Sequence, residues 1–402
     1  MLDAYIYNGL RTPFGRNAGA LAKVRPDNML GDIIRAAVDA SSFSEDAIDD
    51  VIAGCGNQAG EDSRCVARHA ILRAGLPIKT PGTVLQRNCG SGLGAIISTA
   101  HAITCGEGDV MVAGGVESMT RAPFVVGKVE QAYAKQLTWY DSALGSRFPN
   151  PQIEKEFGSD NMPQTADNLA VEHDLRREDC DSFAYQSQQK YAAAKADGFF
   201  NDEIHAVTVP GGRKAPDTIV SEDEFPRPGT ELEKLASMRA LNPDGVTTAA
   251  NASGVNDGAV AMMVASLAAG EKAGQKPIAR ILSSGVAGVA PRIMGYGPVP
   301  AAEIALKRAG LTMADMDVIE INEAFAAQVL ACMKGMGLAF DDSRVNPNGG
   351  AITVGHPLGA SGPRIALTAA RQLERIQGRY ALVSMCIGMG QGIAMIMERP
   401  QL

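Results

Sequence analysis

Two cysteines and one histidine lie in glycine-rich surroundings where their chemistry can be used. Cys89 sits in LQRNCGSGLGAII, residues 85–97, just ahead of a Gly-Ser-Gly pivot and a run with helical periodicity. A thiol at a strand-to-helix turn meets unpaired backbone N–H groups and the positive end of the helix dipole, which lower its pKa from about 8.5 and make it a nucleophile. The same N–H groups can stabilise an oxyanion on an acyl group carried by the sulfur. The plain alternative is a structural cysteine buried on a turn.

His356 stands among closely spaced glycines in NPNGGAITVGHPLGASG, residues 346–362, and Pro357 fixes the chain just after its ring. A neutral imidazole beside Cys89 would take its proton, the cysteine and histidine arrangement for acyl transfer; otherwise it is a surface-loop histidine. The other histidines, His69, His101, His173 and His205, occupy ordinary helical or polar contexts. Cys386 follows the apolar ALVSM and precedes Gly388, Gly390 and Gly392. A dinucleotide fingerprint should open a helix, whereas the strand-like IAMIMER follows here. Bare N–H groups beside a second thiol suit an oxyanion site next to an acid/base group, or else Cys386 fills the core. In INEAFAAQ, Asn322 and Glu323 end the strand DVIEI and begin a helix, where an amide either caps or faces a pocket.

The elements that must position these residues read as α/β. AYIYNGL, DDVIAGC, TVLQRN and DVMVAGG are strand-like, and they alternate with helical patterns in NMLGDIIRAAVDAS and around VARHAILRAG. From Met119 to about Thr247 the chain turns polar, with one clear helix through EDCDSFAYQSQQKYAAAKADG, which suggests an inserted unit. Alternation resumes at GAVAMMVAS and PIARILSSGVAG. Shifting by 270 positions lays Ser91-Gly92 on Ser361-Gly362 and the strand DVMVA on RYALV, and DDVIAG resembles MDVIEI. A duplicated βαβ-rich unit follows, its two copies packed face to face and meeting at the loop ends where open α/β sheets place ligands.

Bulk properties narrow the function. A chain of 402 residues needs more than one packed unit. A net charge of −8 argues against nucleic acid as partner. No apolar run is long enough to span a membrane and the opening residues lack a secretory pattern, so the expectation is a soluble, cytoplasmic protein without membrane partners. Seven scattered cysteines fit neither a disulfide framework nor a metal site, and a reducing compartment is implied.

NCGSGLGAI, NEAFA, GGAITVGHPLGASGPR and CIGMGQGIA, with ANASGVNDGA as a fifth block, resemble the signature blocks of the thiolases in order and spacing. RTPFGR near the start and GGVESM at residues 114–119 extend the resemblance essentially end to end. It implies a layered αβαβα thiolase fold with an N-terminal half over residues 1–120 plus 248–272, an inserted loop domain over 121–247 covering coenzyme A, and a C-terminal half over 273–402. It implies that Cys89 accepts the acyl group, His356 activates it, Cys386 moves the α-proton, and Asn322 holds a water that stabilises the thioester enolate with His356. The N–H groups of Cys89 and Gly388 become the oxyanion hole at the acyl-enzyme. Coenzyme A contacts fall on Arg227, Ser253, Ala249, Met162, Ala324 and Phe325. Coenzyme A and acyl-CoA are substrates, with no resident cofactor or metal, and the assembly is a homodimer or homotetramer with a tetramer contact in Arg121–Gly145.

Two positions depart from the family pattern: Gln86 stands where many thiolases carry Asn, and Asn161 where acetoacetyl-CoA-type enzymes often place His. NQAGEDSRCVAR, RAPFVVGK, GSRFPNP and GVAPRIMGYGPVPA most resemble the β-ketoadipyl-CoA thiolases of aromatic catabolism. The expected reaction is cleavage of 3-oxoadipyl-CoA by coenzyme A to succinyl-CoA and acetyl-CoA. Acetoacetyl-CoA thiolase and the general 3-ketoacyl-CoA thiolase of fatty acid metabolism are the alternatives. A decarboxylating condensing enzyme would carry a second histidine in place of Cys386; an inactive acyl-CoA or lipid carrier would not need all four site residues. A thiol redox switch would need the two sulfurs within bonding distance.

Overall fold

The computed structural model describes residues 1–213 and 215–401. The N-terminal half contributes β1 (Ala4–Arg11), α1 (Pro26–Asp39), β2 (Asp50–Gly54), α2 (Val66–Arg73), β3 (Gly82–Leu85), α3 (Ser91–Thr104) and β4 (Val110–Ser118). A long excursion then carries α4 (Pro151–Phe157), α5 (Met162–Glu172), α6 (Arg177–Ala196) and α7 (Leu232–Ala236). After it come β5 (Asn256–Ala265), α8 (Leu267–Ala273), β6 (Ala279–Gly288), α9 (Pro298–Ala309), β7 (Val318–Ile321) and α10 (Ala326–Gly335). The chain ends with α11 (Ala351–Val354), α12 (Leu358–Ile376), β8 (Tyr380–Ile387) and β9 (Gln391–Glu398).

The strands hydrogen-bond in the order β7-β8-β9-β6-β1-β5-β4-β2-β3. Two copies of one pattern meet at the β1–β6 seam. Outward from the seam, β1–β5 and β5–β4 are antiparallel and β4–β2 parallel; likewise β6–β9 and β9–β8 are antiparallel and β8–β7 parallel. The internal match read from the sequence is this symmetry: DVMVA and RYALV are β4 and β8, and DDVIAG and MDVIEI give β2 and β7.

Three large apolar clusters record the layers. One joins α1 and α2 to one face of the N-terminal strands, and another joins α9 and α10 to the C-terminal strands. Between them Leu93, Ile96 and Ile97 of α3 pack with Ile365, Leu367 and Leu373 of α12 against strands of both halves. The order α-β-α-β-α follows, with α3 and α12 in the middle. Their close approach rests on Gly92, where a Cβ would overlap the carbonyl oxygen of Gly359 and the ring of Pro363. The two helices that start beside Cys89 and His356 are thereby brought into backbone contact.

In the excursion, α6 matches the expected helix, and α4, α5 and α7 are additions to it. α4 and α7 are short, and α4 and α5 carry Pro151 and Pro163 in their first turns, just after the capping side chains of Asn150 and Asn161, a signal that reads as turn when apolar periodicity is brief. Buried Arg11 of β1 anchors the excursion. Its guanidinium donates to both oxygens of Asp223 at 2.6 and 2.9 Å and to Glu203, and the Tyr191 hydroxyl donates to Asp223. Deleting one member of such a buried ion pair costs about 3–5 kcal/mol, because the partner charge is left uncompensated.

Candidate active site

Cys89 occupies a tight turn between β3 and α3. Ser91 shapes it: its Oγ accepts from Arg87 N–H at 2.8 Å and donates to Asn88 O at 2.6 Å. Asn88 is held left-handed at φ 45°, an uncommon conformation for a residue with a Cβ. Its amide donates to Gly388 O at 3.2 Å, fastening this turn to the loop joining β8 and β9. That loop turns sharply at Met389 and Gly390, both with positive φ, and a Cβ at Gly390 would overlap Val289 O. The backbone N–H groups of Gly388 and of Cys89 itself stand near the Cys89 sulfur and favour its thiolate.

Burial pushes the Cys89 thiol up to about 11, which reverses the lowering expected from a helix N-terminus. The two N–H groups oppose the rise and nearby Glu117 adds to it, but removing the thiolate from water dominates. Cys89 at rest is therefore a thiol needing a base. His356 lies in the short link between α11 and α12, its backbone N–H bonded to Asn256 Oδ1 at 2.9 Å. Burial, with Arg364 nearby, lowers its pKa to about 4, so the ring is neutral. Ser361 Oγ lies 2.9 Å from Pro357 O and 2.6 Å from Nδ1. With its one proton on the carbonyl, the hydroxyl accepts from Nδ1–H and leaves Nε2 with its lone pair.

Asn322 follows β7 directly, and its Nδ2 lies 3.5 and 3.4 Å from the two ring nitrogens of His356. Its buried Oδ1 has no protein partner among the described residues. The helix expected from Asn322 starts instead at Ala326. Residues 323–325 stay out of the helix: Ala324 N–H bonds back to Asn322 O at 3.1 Å, Ala252 bridges extended Phe325, and Ser253 N–H donates to Ala324 O at 2.9 Å. Glu323 is buried and structural, accepting from Ser187, Asn346 and Ile352 N–H. Cys386 is fully buried near the end of β8, within electrostatic range of Cys89, and burial holds its thiol well above the ordinary value.

The residues expected to contact coenzyme A fall into two groups. Ser253, Ala324 and Phe325 meet directly, and Phe225, whose ring packs beside Gly254, carries exposed Arg227 over it at 5.7 Å. Met162 opens α5, its sulfur 3.8 Å from where a Cβ of Gly388 would stand. Ala249 is exposed on the loop before Asn251. Asn161 caps α5 by accepting from Gln164 N–H, while Gln86 donates to Asn88 Oδ1 and to Gly56 O.

Sequence reasoning missed Ser361, Asn256 and Glu117. Glu117 is buried on β4 and accepts from the N–H groups of Gly56, Asn57 and Gly359, tying the start of α12 to the N-terminal half. Burial raises its pKa to about 7. A carboxylate in an otherwise apolar strand was its signal.

Residues 4–268 match the family model for the thiolase N-terminal domain and residues 275–399 that for the thiolase C-terminal domain. The chain belongs to the thiolase family. It is 52% identical over 401 residues to a β-ketoadipyl-CoA thiolase of Acinetobacter baylyi, covering 99% of this chain and 100% of that one. The 3-oxoadipyl-CoA/3-oxo-5,6-dehydrosuberyl-CoA thiolase of Escherichia coli is also 52% identical, with the same coverage. Human mitochondrial 3-ketoacyl-CoA thiolase in complex with CoA superposes with a TM-score of 0.91 at 40% identity, over 99% of this chain and 98% of that one. Membership in this acyltransferase family accords with the fold and with the four signature blocks. No helix among the described residues is long and apolar enough to cross a membrane.

Proposed function

We propose that this thiolase cleaves 3-oxoadipyl-CoA with coenzyme A to give succinyl-CoA and acetyl-CoA. Full-length identity of 52% to relatives named for that substrate carries the reading, and a neutral Cys89 thiol with a neutral His356 ring supports the chemistry. His356 Nε2 takes the proton of Cys89 as sulfur attacks the 3-oxo carbon. The N–H groups of Cys89 and Gly388 stabilise the oxyanion that forms. Collapse breaks the C2–C3 bond, the acetyl-CoA enolate is held by protonated His356 and a water on Asn322, and Cys386 protonates its carbon. The Cys386 thiolate then takes the proton of coenzyme A, whose sulfur collects the succinyl group, and His356 returns its proton to Cys89. Splitting one transfer into two covalent steps predicts ping-pong kinetics.

Residues 121–247 are proposed to cover coenzyme A, with Arg227 at the anionic nucleotide end, Ser253, Ala249, Ala324 and Phe325 beside the pantetheine, and Met162 along the tunnel. The halves over 1–120 plus 248–272 and over 273–402 supply the chemistry. Within Arg121–Gly145, the exposed Phe124, Tyr133 and Trp139 support a contact between dimers in a cytoplasmic homotetramer. The deciding experiment compares kcat/KM for coenzyme A-dependent cleavage of 3-oxoadipyl-CoA, acetoacetyl-CoA and a long-chain 3-ketoacyl-CoA. The dicarboxyl substrate is expected to lead clearly; a neutral substrate in front sinks the assignment and leaves the mechanism standing.

A further inference from the structure

A substrate ending in a carboxylate needs a cation where its acyl chain ends, and one whose charge is not already spent in an ion pair suits that task. Arg121 is spent on Glu61, with Nη2 2.7 Å from Oε1, and Arg292 on Asp160 at 2.8 Å. Gln86 and Asn88 bond to each other, so Arg87 between them points to the opposite face of the chain, where it reaches Gln391. Arg147 differs from all three. It is half-buried; among the described residues its one hydrogen-bond acceptor is the neutral amide oxygen Oδ1 of Asn57 at 2.8 Å, and the buried Asp62 carboxylate lies within range of its charge without a salt bridge.

The position of Arg147 is built. Asn57 is buried and grips the excursion at two points, donating from Nδ2 to the carbonyl and hydroxyl of Ser142 at 3.2 Å while accepting from Arg147. From there consecutive hydrogen bonds lead to the nucleophile. Gly56 O accepts from Gln86, Gln86 donates to Asn88, and Asn88 donates to Gly388 O beside the Cys89 sulfur. A Cβ on Gly56 would also touch Leu358, two residues after His356. The surroundings of Asn57 are otherwise acidic: Glu117 accepts its N–H at 2.9 Å, and side-chain oxygens of Glu117 and Asp62 lie within 4.8 Å of each other. An anionic acyl end arriving here meets repulsion unless a cation stands with it.

We propose that Arg147 binds the distal carboxylate of the acyl chain and sets the preference for dicarboxylic 3-ketoacyl-CoA substrates. The inference rests on the 3-oxoadipyl-CoA reading. In the succinyl acyl-enzyme this carboxyl carbon stands three bonds beyond the thioester carbon. A guanidinium already held by a neutral amide can add a forked pair of hydrogen bonds to a carboxylate without giving up an ion pair.

The test is the ratio of kcat/KM for 3-oxoadipyl-CoA to that for 3-oxohexanoyl-CoA, which ends in a methyl group at the same carbon. In the unaltered enzyme the ratio is expected well above one. Arg147→Ala should lower it about 100-fold, the worth of a charge-assisted hydrogen-bond pair, and Arg147→Lys should restore part of the loss. A ratio unchanged in Arg147→Ala overturns the role of Arg147 while the substrate reading survives. Parallel loss of both substrates also overturns it, since that marks damage to the Ser142–Asn57 clamp. An unaltered enzyme with a ratio at or below one overturns the substrate reading and this inference with it.

Discussion

Cys89→Ala is expected to lower kcat for coenzyme A-dependent cleavage by about 10⁴-fold or more, the scale of losing the nucleophile of an acyl-transfer enzyme. The N–H groups of Gly388 and Cys89 favour the anionic form of this sulfur. Cys386 is fully buried on β8 beyond that pocket. The two pKa shifts also fix the pH dependence. With the thiol at about 11 and the imidazole at about 4, the resting pair is neutral throughout the physiological range. Attack then draws on His356 at the moment of reaction, and not on a standing thiolate. Activity limited by this pair should be flat across neutral pH, falling on the acid side only as His356 protonates near 4. Iodoacetamide alkylation of Cys89 in the free enzyme should keep rising well past pH 8. Alkylation that saturates near neutrality would reveal a preformed ion pair, and residual cleavage within tenfold of normal would remove Cys89 from the nucleophile's role.

The legible part of this molecule is the part where chemistry and tight backbone packing use the same residues. Gly92 permits the contact of α3 with α12, and the glycines after Cys386 permit the hairpin that aims an N–H at Cys89. Glycine spacing and reactive side chains therefore appear together in the sequence, and the 270-residue repeat appears because both halves build the same strand order. The thiol pKa was not legible in its sign. A helix N-terminus is local, whereas the burial that outweighs it depends on tertiary packing such as the Asn88–Gly388 hydrogen bond, which joins residues 300 positions apart. The start of α10 was misplaced for the same reason, since the bridge from Ala252 to Phe325 holds Phe325 extended and delays the helix to Ala326. Ser361 and Asn256 orient His356 from five and 100 positions away, and nothing in their immediate neighbours marks them for that task.

Cys386→Ala should separate the two halves of the reaction that Cys89→Ala abolishes together. Breaking the C2–C3 bond leaves charge on carbon, and carbon needs a positioned proton donor; losing such a group is expected to slow thiolytic cleavage by about 10²–10⁴-fold. Transfer of a succinyl group from succinyl-CoA to Cys89 makes a smaller demand: Cys386 would hand the departing sulfur its proton, but a thiolate, unlike a carbanion, can leave without one. The N–H groups at Cys89 and the lone pair of His356 Nε2, fixed by the Ser361 hydroxyl, remain in place for that step. Replacing a buried thiol by a methyl group on β8 leaves the Cys386–Gly392 strand pairing intact. Intact-protein mass spectrometry after mixing with succinyl-CoA should therefore show a succinyl adduct on Cys386→Ala and none on Cys89→Ala, while carbon–carbon cleavage by Cys386→Ala is nearly lost. Equal loss of acylation and cleavage would mean that Cys386 supports the shape of the Cys89 pocket, and undiminished cleavage would move the proton donor to His356.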